Sequence, residues 1–318
     1  MITIALWLLA WPVFQVDDTK TMTEELDPAP AVAAAAVAGT VDGHPITLAR
    51  VDRHLKKTLG DRTLDSQIKR RARQAALEHL IDRHLVLLSI GSQGYKAGES
   101  EIRLEVSKLE DRLAEVNQNL AQHLEETGST KAELEYELRW KIAWGKYLRK
   151  YLTDERLGKY FARNRRKFDG TRVRVAHLLL RDDSEPDTSA SMKNKANEIR
   201  DTVLADSQTW SEAVREHSIA SSSSGNAGEI GWVTVDGPMS LEFCAAAIEL
   251  DEGDISEPVR TPFGIHLIKC LKVERGSVRP SDVKEKIRAH ATRFLFESQA
   301  SGQRPKASIE YDAVTPGN

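Results

Sequence analysis

At Gly170 the hydrophobic period of this chain changes, and that change limits the folds open to it. Upstream, from Thr47 to Phe168, apolar residues recur every three or four positions, the spacing of one helix face. Downstream, VRVAHLLL at 173–180 reads as a strand. Helices are expected over about 189–205, 210–217 and 239–250, with further strands at 230–233 and about 265–273. Strand, helices, strand, helix and strand within 171–275 make a compact α+β domain. Pro280-Ser281 then opens another helix, with Val283, Ile287, Phe294 and Leu295 on one face, and ASIEYDAV ends as a strand. A lone helix and strand cannot bury their apolar faces. Residues 276–318 are therefore expected to pack back on the helical module 39–170, which makes 171–275 an insertion.

Within 39–170, capping residues mark the helix boundaries. Asp42-Gly43 is a turn between short apolar runs, and Thr47 caps a helix with Leu48, Val51, Leu55 and Leu59 inward, stopped by Gly60. A second helix is expected from about Leu64 to Gln93. Ile102, Val106, Leu109, Leu113, Val116, Leu120 and Leu124 then recur at intervals of four and three. That spacing predicts a single helix about 40 Å long, at about 1.5 Å per residue, with an apolar seam. The seam pairs with an antiparallel partner in the same module or, as an assembly arm, with a second copy. Thr130 and Glu133 form a capping box for a helix carrying Trp140, Trp144, Tyr147, Leu148 and Tyr151, and Thr153 restarts a helix reaching Phe168. These aromatics, with Phe161, either fill the module's own core or line a groove for extended apolar segments.

The 45 basic and 48 acidic residues leave a net charge of -3, so no global field points at nucleic acid or an acidic membrane. The clusters Lys69-Arg70-Arg71 and Arg163 to Lys167 fall in helical stretches and read as solvated faces; no nucleic-acid partner is expected. Cys244 and Cys270 form no CxxC pair, which excludes a disulfide scaffold and a Cys-rich zinc site and leaves two buried thiols. The first sixteen residues, MITIALWLLAWPVFQV, are too short an apolar run to span a bilayer, which takes about 20 residues. They match the core of a secretory signal, so the expectation is export to the periplasm or cell envelope without stable membrane insertion. If Met22 were the true start, the chain would be cytoplasmic. Residues 17–38, acidic and then rich in Pro and Ala, read as a disordered linker.

Four segments of the α+β domain carry a resemblance: AHLLL at 176–180, GEIGWV at 228–233, Met239 with Phe243, and GDISEPVRTPFGIHLIKC at 253–270. In this order they resemble the parvulin-type peptidyl-prolyl isomerases over roughly 172–274. More loosely, the whole chain is similar to exported chaperone–isomerases of the SurA and PpiC type, through VDGHPIT, LIDRHLVLL and YFARNRRKF. The resemblance implies a small antiparallel sheet packed by helices, and a helical chaperone module completed by the C-terminal helix. It implies isomerisation of X-Pro bonds in extended or unfolded client polypeptides, with no metal, cofactor or covalent intermediate. A non-catalytic peptide-binding chaperone with a degenerate parvulin domain is the alternative.

By the same resemblance, Ile230, Met239 and Phe243, with Phe263 nearby, form a pocket for the proline ring. His177 and His266 match the family's paired histidines and Thr261 its hydroxyl. Met239 and Phe243, four apart, are expected on one helix face. The histidine pair either orients a polar group beside the pocket or simply ties two strands together. Family members place an Asp or Cys two residues after the Ser that matches Ser218; here Ala220 stands there, and a one-residue shift offers Ser221 as a weaker polar substitute. Isomerase activity is accordingly expected to be reduced. Relatives that prefer phosphorylated Ser/Thr-Pro carry a basic cluster after the first strand, whereas Arg181 to Glu185 is net acidic, so phosphate recognition is not expected.

Overall fold

A computed structural model describes residues 36–60, 65–180, 189–220 and 225–312. The signal segment, Met22, most of the expected linker, the loop from Arg181 to Glu185 and Ser221 lie outside the described residues. The described residues divide into two units. The first holds residues up to Ile81, Ala121–Leu134 and those from Ala307; the second holds Asp82–Leu120 and Glu135–Lys306.

In the first unit, β1 (Val37–Val41) and β2 (His44–Thr47) form a hairpin. Asp42 and Gly43 both take positive φ, 48° and 78°, the two-residue turn whose twist suits a hairpin. β7 (Ile309–Tyr311) pairs antiparallel with the other edge of β1, giving the order β2-β1-β7. Thr47 Oγ1 accepts the Arg50 N–H at 3.2 Å and so caps α1 (Leu48–Leu59), which ends at Gly60. Val41, Ile46, Val51, Leu77 and Leu80 close the core of this unit.

Helix α2 (Ser66–Ser92) stops two residues before Gly94, as expected, but the long seam does not form one helix. Helix α3 (Glu99–Glu115) ends and α4 (Leu120–Thr127) begins anew. Asn117 adopts φ +55°, its N–H reaches Ala114 O at 3.0 Å, and Gln118 N–H reaches Leu113 O at 2.9 Å. This is a Schellman stop, with Asn in the left-handed position that glycine more often fills. Val116, expected in the seam, is 67% exposed.

Helix α5 (Lys131–Tyr151), which belongs to the second unit from Glu135 onward, starts at the expected capping box: Thr130 Oγ1 accepts the Glu133 N–H, and Glu133 accepts the Thr130 N–H at 2.9 Å. Its Trp140, Trp144, Tyr147 and Tyr151 form a ladder with centroid spacings of 5.4, 5.4 and 4.4 Å. The ladder packs with Val86, Ile90, Tyr95 and Phe296, so these aromatics belong to the unit's own core, with only Tyr147 fully buried. Helix α6 (Asp154–Arg163), capped by Thr153, leads to a 3₁₀ turn at Arg165–Lys167 rather than continuing to Phe168. After a second 3₁₀ turn at Pro280–Val283, α10 (Lys284–Gln303) returns to these helices. Its Ile287 and Ala291 pack with Leu157, Phe161 and Phe168, and Tyr160 Oη meets His290 Nδ1 at 2.7 Å.

Between α6 and α10 lie β3 (Arg172–Leu180), α7 (Ser189–Leu204), α8 (Trp210–His217), β4 (Glu229–Val233), α9 (Leu241–Glu249), β5 (Val259–Thr261) and β6 (Gly264–Glu274). The strands form one antiparallel sheet in the order β4-β3-β6-β5. Strand β5, only three residues long, carries no sequence pattern of its own. The pleat sends alternate side chains to opposite faces. Ala176, Leu178, Leu180, Ile265 and Leu267 meet α7 and α8, while Val173, Val175, Ile268 and Cys270 meet Phe243, Cys244 and Ile248 of α9. Both faces are covered, which is why β3 reads as a continuous apolar run. Cys244 and Cys270 are free buried thiols, and burial raises the pKa of each. No helix among the described residues is long and apolar enough to cross a membrane.

Candidate active site

Strand register brings the two histidines together. In the β3–β6 pair His177 sits opposite Ile268 and His266 opposite Leu179, so the histidines are diagonal neighbours on the face that meets α9. Their Nδ1 atoms are 3.2 Å apart and their rings stack at 5.4 Å. On its far side, His266 Nε2 lies 2.8 Å from Thr261 Oγ1, which also accepts the Phe263 N–H at 3.1 Å. Phe243 from α9 meets both imidazoles edge to face, with centroids 5.9 and 5.2 Å away. His177, His266, Thr261 and Phe243 are all buried, His266 to 2% exposure.

Burial fixes the protonation state of this group. Desolvation lowers the pKa of His177, and desolvation with the neighbouring His177 pushes His266 down to about 4. Both rings are therefore neutral at pH 7. A neutral imidazole has one donor and one acceptor, so a contact between two Nδ1 atoms needs a proton on one of them. Two arrangements satisfy the chain: donation can run from His177 through His266 to Thr261, or from Thr261 through His266 to His177. Either way the group carries hydrogen-bonding polarity without charge.

The apolar residues beside it come from three elements. Ile230 on β4 and Met239 are half-buried and pack on the same core as Phe243. Met239 does not share the helix with Phe243, contrary to the spacing: Ser240 is the N-cap, its Oγ accepting the Phe243 N–H at 3.3 Å, so Met239 approaches from the preceding loop. Phe263, at the β5–β6 turn, is 57% exposed and stands outside that core.

The lip of the site is pinned where it leaves and where it returns. Ser218 Oγ accepts the N–H of Leu179 at 3.2 Å and of Ala220 at 3.3 Å, and Ile219 N–H donates to Leu179 O at 2.9 Å. Ser218, used in the sequence only as a marker, is thus the residue that fastens the lip to β3. On the return, His177 N–H donates to Gly228 O at 2.8 Å. Gly228 has φ +79°, and a Cβ there would stand 2.2 Å from His177 O, so only glycine fits. At Gly264 (φ +138°) a Cβ would stand 2.2 Å from Leu180 O, which explains the glycine one residue before Ile265-His266. Gly228, the first glycine of GEIGWV, and Gly264 of FGIH thus let the backbone pass close beside the strand that carries His177.

Residues 177–272 match the family model described as rotamase, PPIC-type PPIASE domain. The chain is similar to foldase protein PrsA of Clostridium kluyveri, 30% identical over 141 residues, covering 43% of this chain and 38% of that protein. It is similar also to chaperone SurA of Albidiferax ferrireducens, 33% identical over 144 residues, covering 44% of this chain and 31% of that one. The chain thus spans less than two fifths of the length of either relative. A crystal structure of PrsA from Bacillus anthracis aligns with 72% of this chain and 96% of its own, at 20% identity and a TM-score of 0.34. The family match places a PPIC-type peptidyl-prolyl isomerase domain at residues 177–272.

Proposed function

We propose that the chain accelerates cis–trans isomerisation of X-Pro bonds in extended, incompletely folded polypeptides, and acts as a folding chaperone for exported proteins. Rotation about a peptide bond faces a barrier of about 18–20 kcal/mol, and unaided X-Pro isomerisation takes tens of seconds or more. No bond to carbon is made or broken, so the enzyme needs neither a nucleophile nor a strong base. It must hold the proline ring, exclude water and favour the twisted amide over both planar forms. Half-buried Ile230 and Met239 offer an apolar surface to the ring, and the fully buried Phe243 backs it from α9. His177, His266 and Thr261 provide neutral dipoles that can meet a twisted, less conjugated amide without the desolvation cost of a charge.

The observation that carries this reading is the uncharged His177–His266–Thr261 chain abutting buried Phe243. Ala220 supports the second reading, a peptide-binding chaperone with little turnover. It stands half-buried in the lip where a polar side chain is expected, and brings only its backbone. Loss of one group that stabilises developing charge costs roughly 3 kcal/mol, about a hundredfold in rate. Proline binding survives such a loss. Export rests on the apolar run of the first sixteen residues.

Exchange spectroscopy on an X-Pro tetrapeptide with substoichiometric full-length chain separates the two readings. Line broadening or exchange cross-peaks at a hundredth of the peptide concentration mark an isomerase. Peptide binding without any acceleration leaves the chaperone reading alone.

A further inference from the structure

Within the basic run Arg165-Arg166-Lys167, Arg165 faces solvent but Arg166 and Lys167 do not. Arg166, with its side chain 22% exposed, reaches the far end of α9: its Nη1 donates to Leu250 O at 2.9 Å and Glu249 O at 3.3 Å, and its Nη2 pairs with Asp251. Lys167 Nζ pairs with Glu249 Oε1 at 3.1 Å. These contacts meet a need that α9 cannot meet itself. A helix C-terminus presents unpaired carbonyls and partial negative charge, and cations in the last turn offset it. The last turn of α9 has no basic residue, and its end is acidic, with Glu249, Asp251 and Glu252. The missing cations come from a turn more than 80 positions earlier in the chain, outside the segment 177–272. At the other end, Lys286 of α10 pairs with Asp236, in the loop that carries Met239. Helix α9 is nine residues long, and it carries Phe243.

We infer that Arg166 is a positioning residue for the proline pocket: it holds α9, and with it the Phe243 ring, in register with His177 and His266. The inference rests on the isomerase reading of that pocket. A nine-residue helix spans only about 14 Å at about 1.5 Å per residue, so release of one end tilts the whole element. Arg166 touches the end of α9 remote from Phe243. Among the described residues it makes no hydrogen bond to His177, His266 or Thr261, so its loss changes the fit of the ring and not those polar groups.

In the full-length chain, Arg166→Ala is expected to raise KM for an X-Pro peptide about fivefold, the equivalent of roughly 1 kcal/mol, with kcat within about twofold. Arg166→Lys, which keeps the charge at the helix end, is expected to recover more than half of that loss. Arg279→Ala, which removes an exposed ion pair with Asp282, serves as the control for loss of a surface cation. An unchanged KM in folded Arg166→Ala, or a fall in kcat with KM unchanged, overturns the inference. If Arg166→Ala does not fold, Arg166→Lys decides alone: about a twofold rise in KM supports the role, and none overturns it. If wild type neither binds nor turns over the peptide, the isomerase reading fails. The hold on α9 is then judged by amide exchange at residues 243–249, where no acceleration in Arg166→Ala overturns it.

Discussion

Replacing His266 by Gln removes the most displaced titration in the domain, and the size of the effect follows from burial. His266 is 2% exposed, and its folded pKa is about 4 against 6.5 for the free side chain. A base whose pKa is lowered on folding takes its proton first in the unfolded state. Stability is therefore full above pH 6.5 and is lost as pH falls through that value, down to about 4. Between pH 7.5 and 5 the loss comes to about 2 kcal/mol, at about 1.4 kcal/mol per pKa unit. Amide exchange at the β3–β6 pair, measured at pH 5, 6 and 7.5, reports the opening free energy of this sheet directly. His266→Gln lowers stability at every pH, because it disturbs a buried polar chain. Its profile, however, should lack the His266 part of the acid slope, while the slope from other depressed histidines and carboxylates is common to both proteins. If the two profiles run parallel within about 0.5 kcal/mol, the histidine is not held neutral by burial and the reasoning fails.

Other substitutions probe the remaining parts of the site. Gly228→Ala forces a Cβ onto His177 O at positive φ, so urea unfolding should show the domain losing more than about 2 kcal/mol. Phe243→Ala empties a fully buried ring position between α9 and the histidines; a loss of about 3–5 kcal/mol is expected by the same assay, with X-Pro peptide binding abolished in titration. Ala220→Asp is expected to raise kcat at least about tenfold in the exchange assay with peptide affinity little changed; no gain would mean the lip does not limit turnover. Asn117→Ala, at the left-handed stop of α3, should cost about 1 kcal/mol where Asn117→Gly costs little, read by thermal unfolding.

Elements governed by neighbouring residues were legible in the sequence. Thr47, Thr130 with Glu133, Thr153 and Pro280 mark starts that side-chain caps and a proline turn set locally. The long seam misled because a four-and-three repeat continues through Val116, whereas the stop at Asn117 lies in one residue's backbone conformation. Strand β5 was missed because three residues have no period; its partner β6 makes it a strand. At the site, no spacing in one strand reveals that His177 and His266 meet, since that depends on the register between two strands, and only the family resemblance carried it. Arg166 was misread for a similar reason. Its partners lie 83 to 85 positions away, and a charge run looks the same in sequence whether water or a helix end faces it.

The packing of α10 on α6 also sets an order of events during synthesis. The residues that bury Leu157, Phe161 and Phe168 leave the ribosome only after the whole intervening sheet domain. At about 5–20 residues per second, that delay is roughly 6–25 s. Throughout it the helical half of a protein proposed to shelter unfinished chains is itself unfinished, with an apolar face waiting for its last helix. The intervening sheet segment, whose strands and α9 are close in sequence, can close first and hold Arg166 against α9 while α10 is still being made.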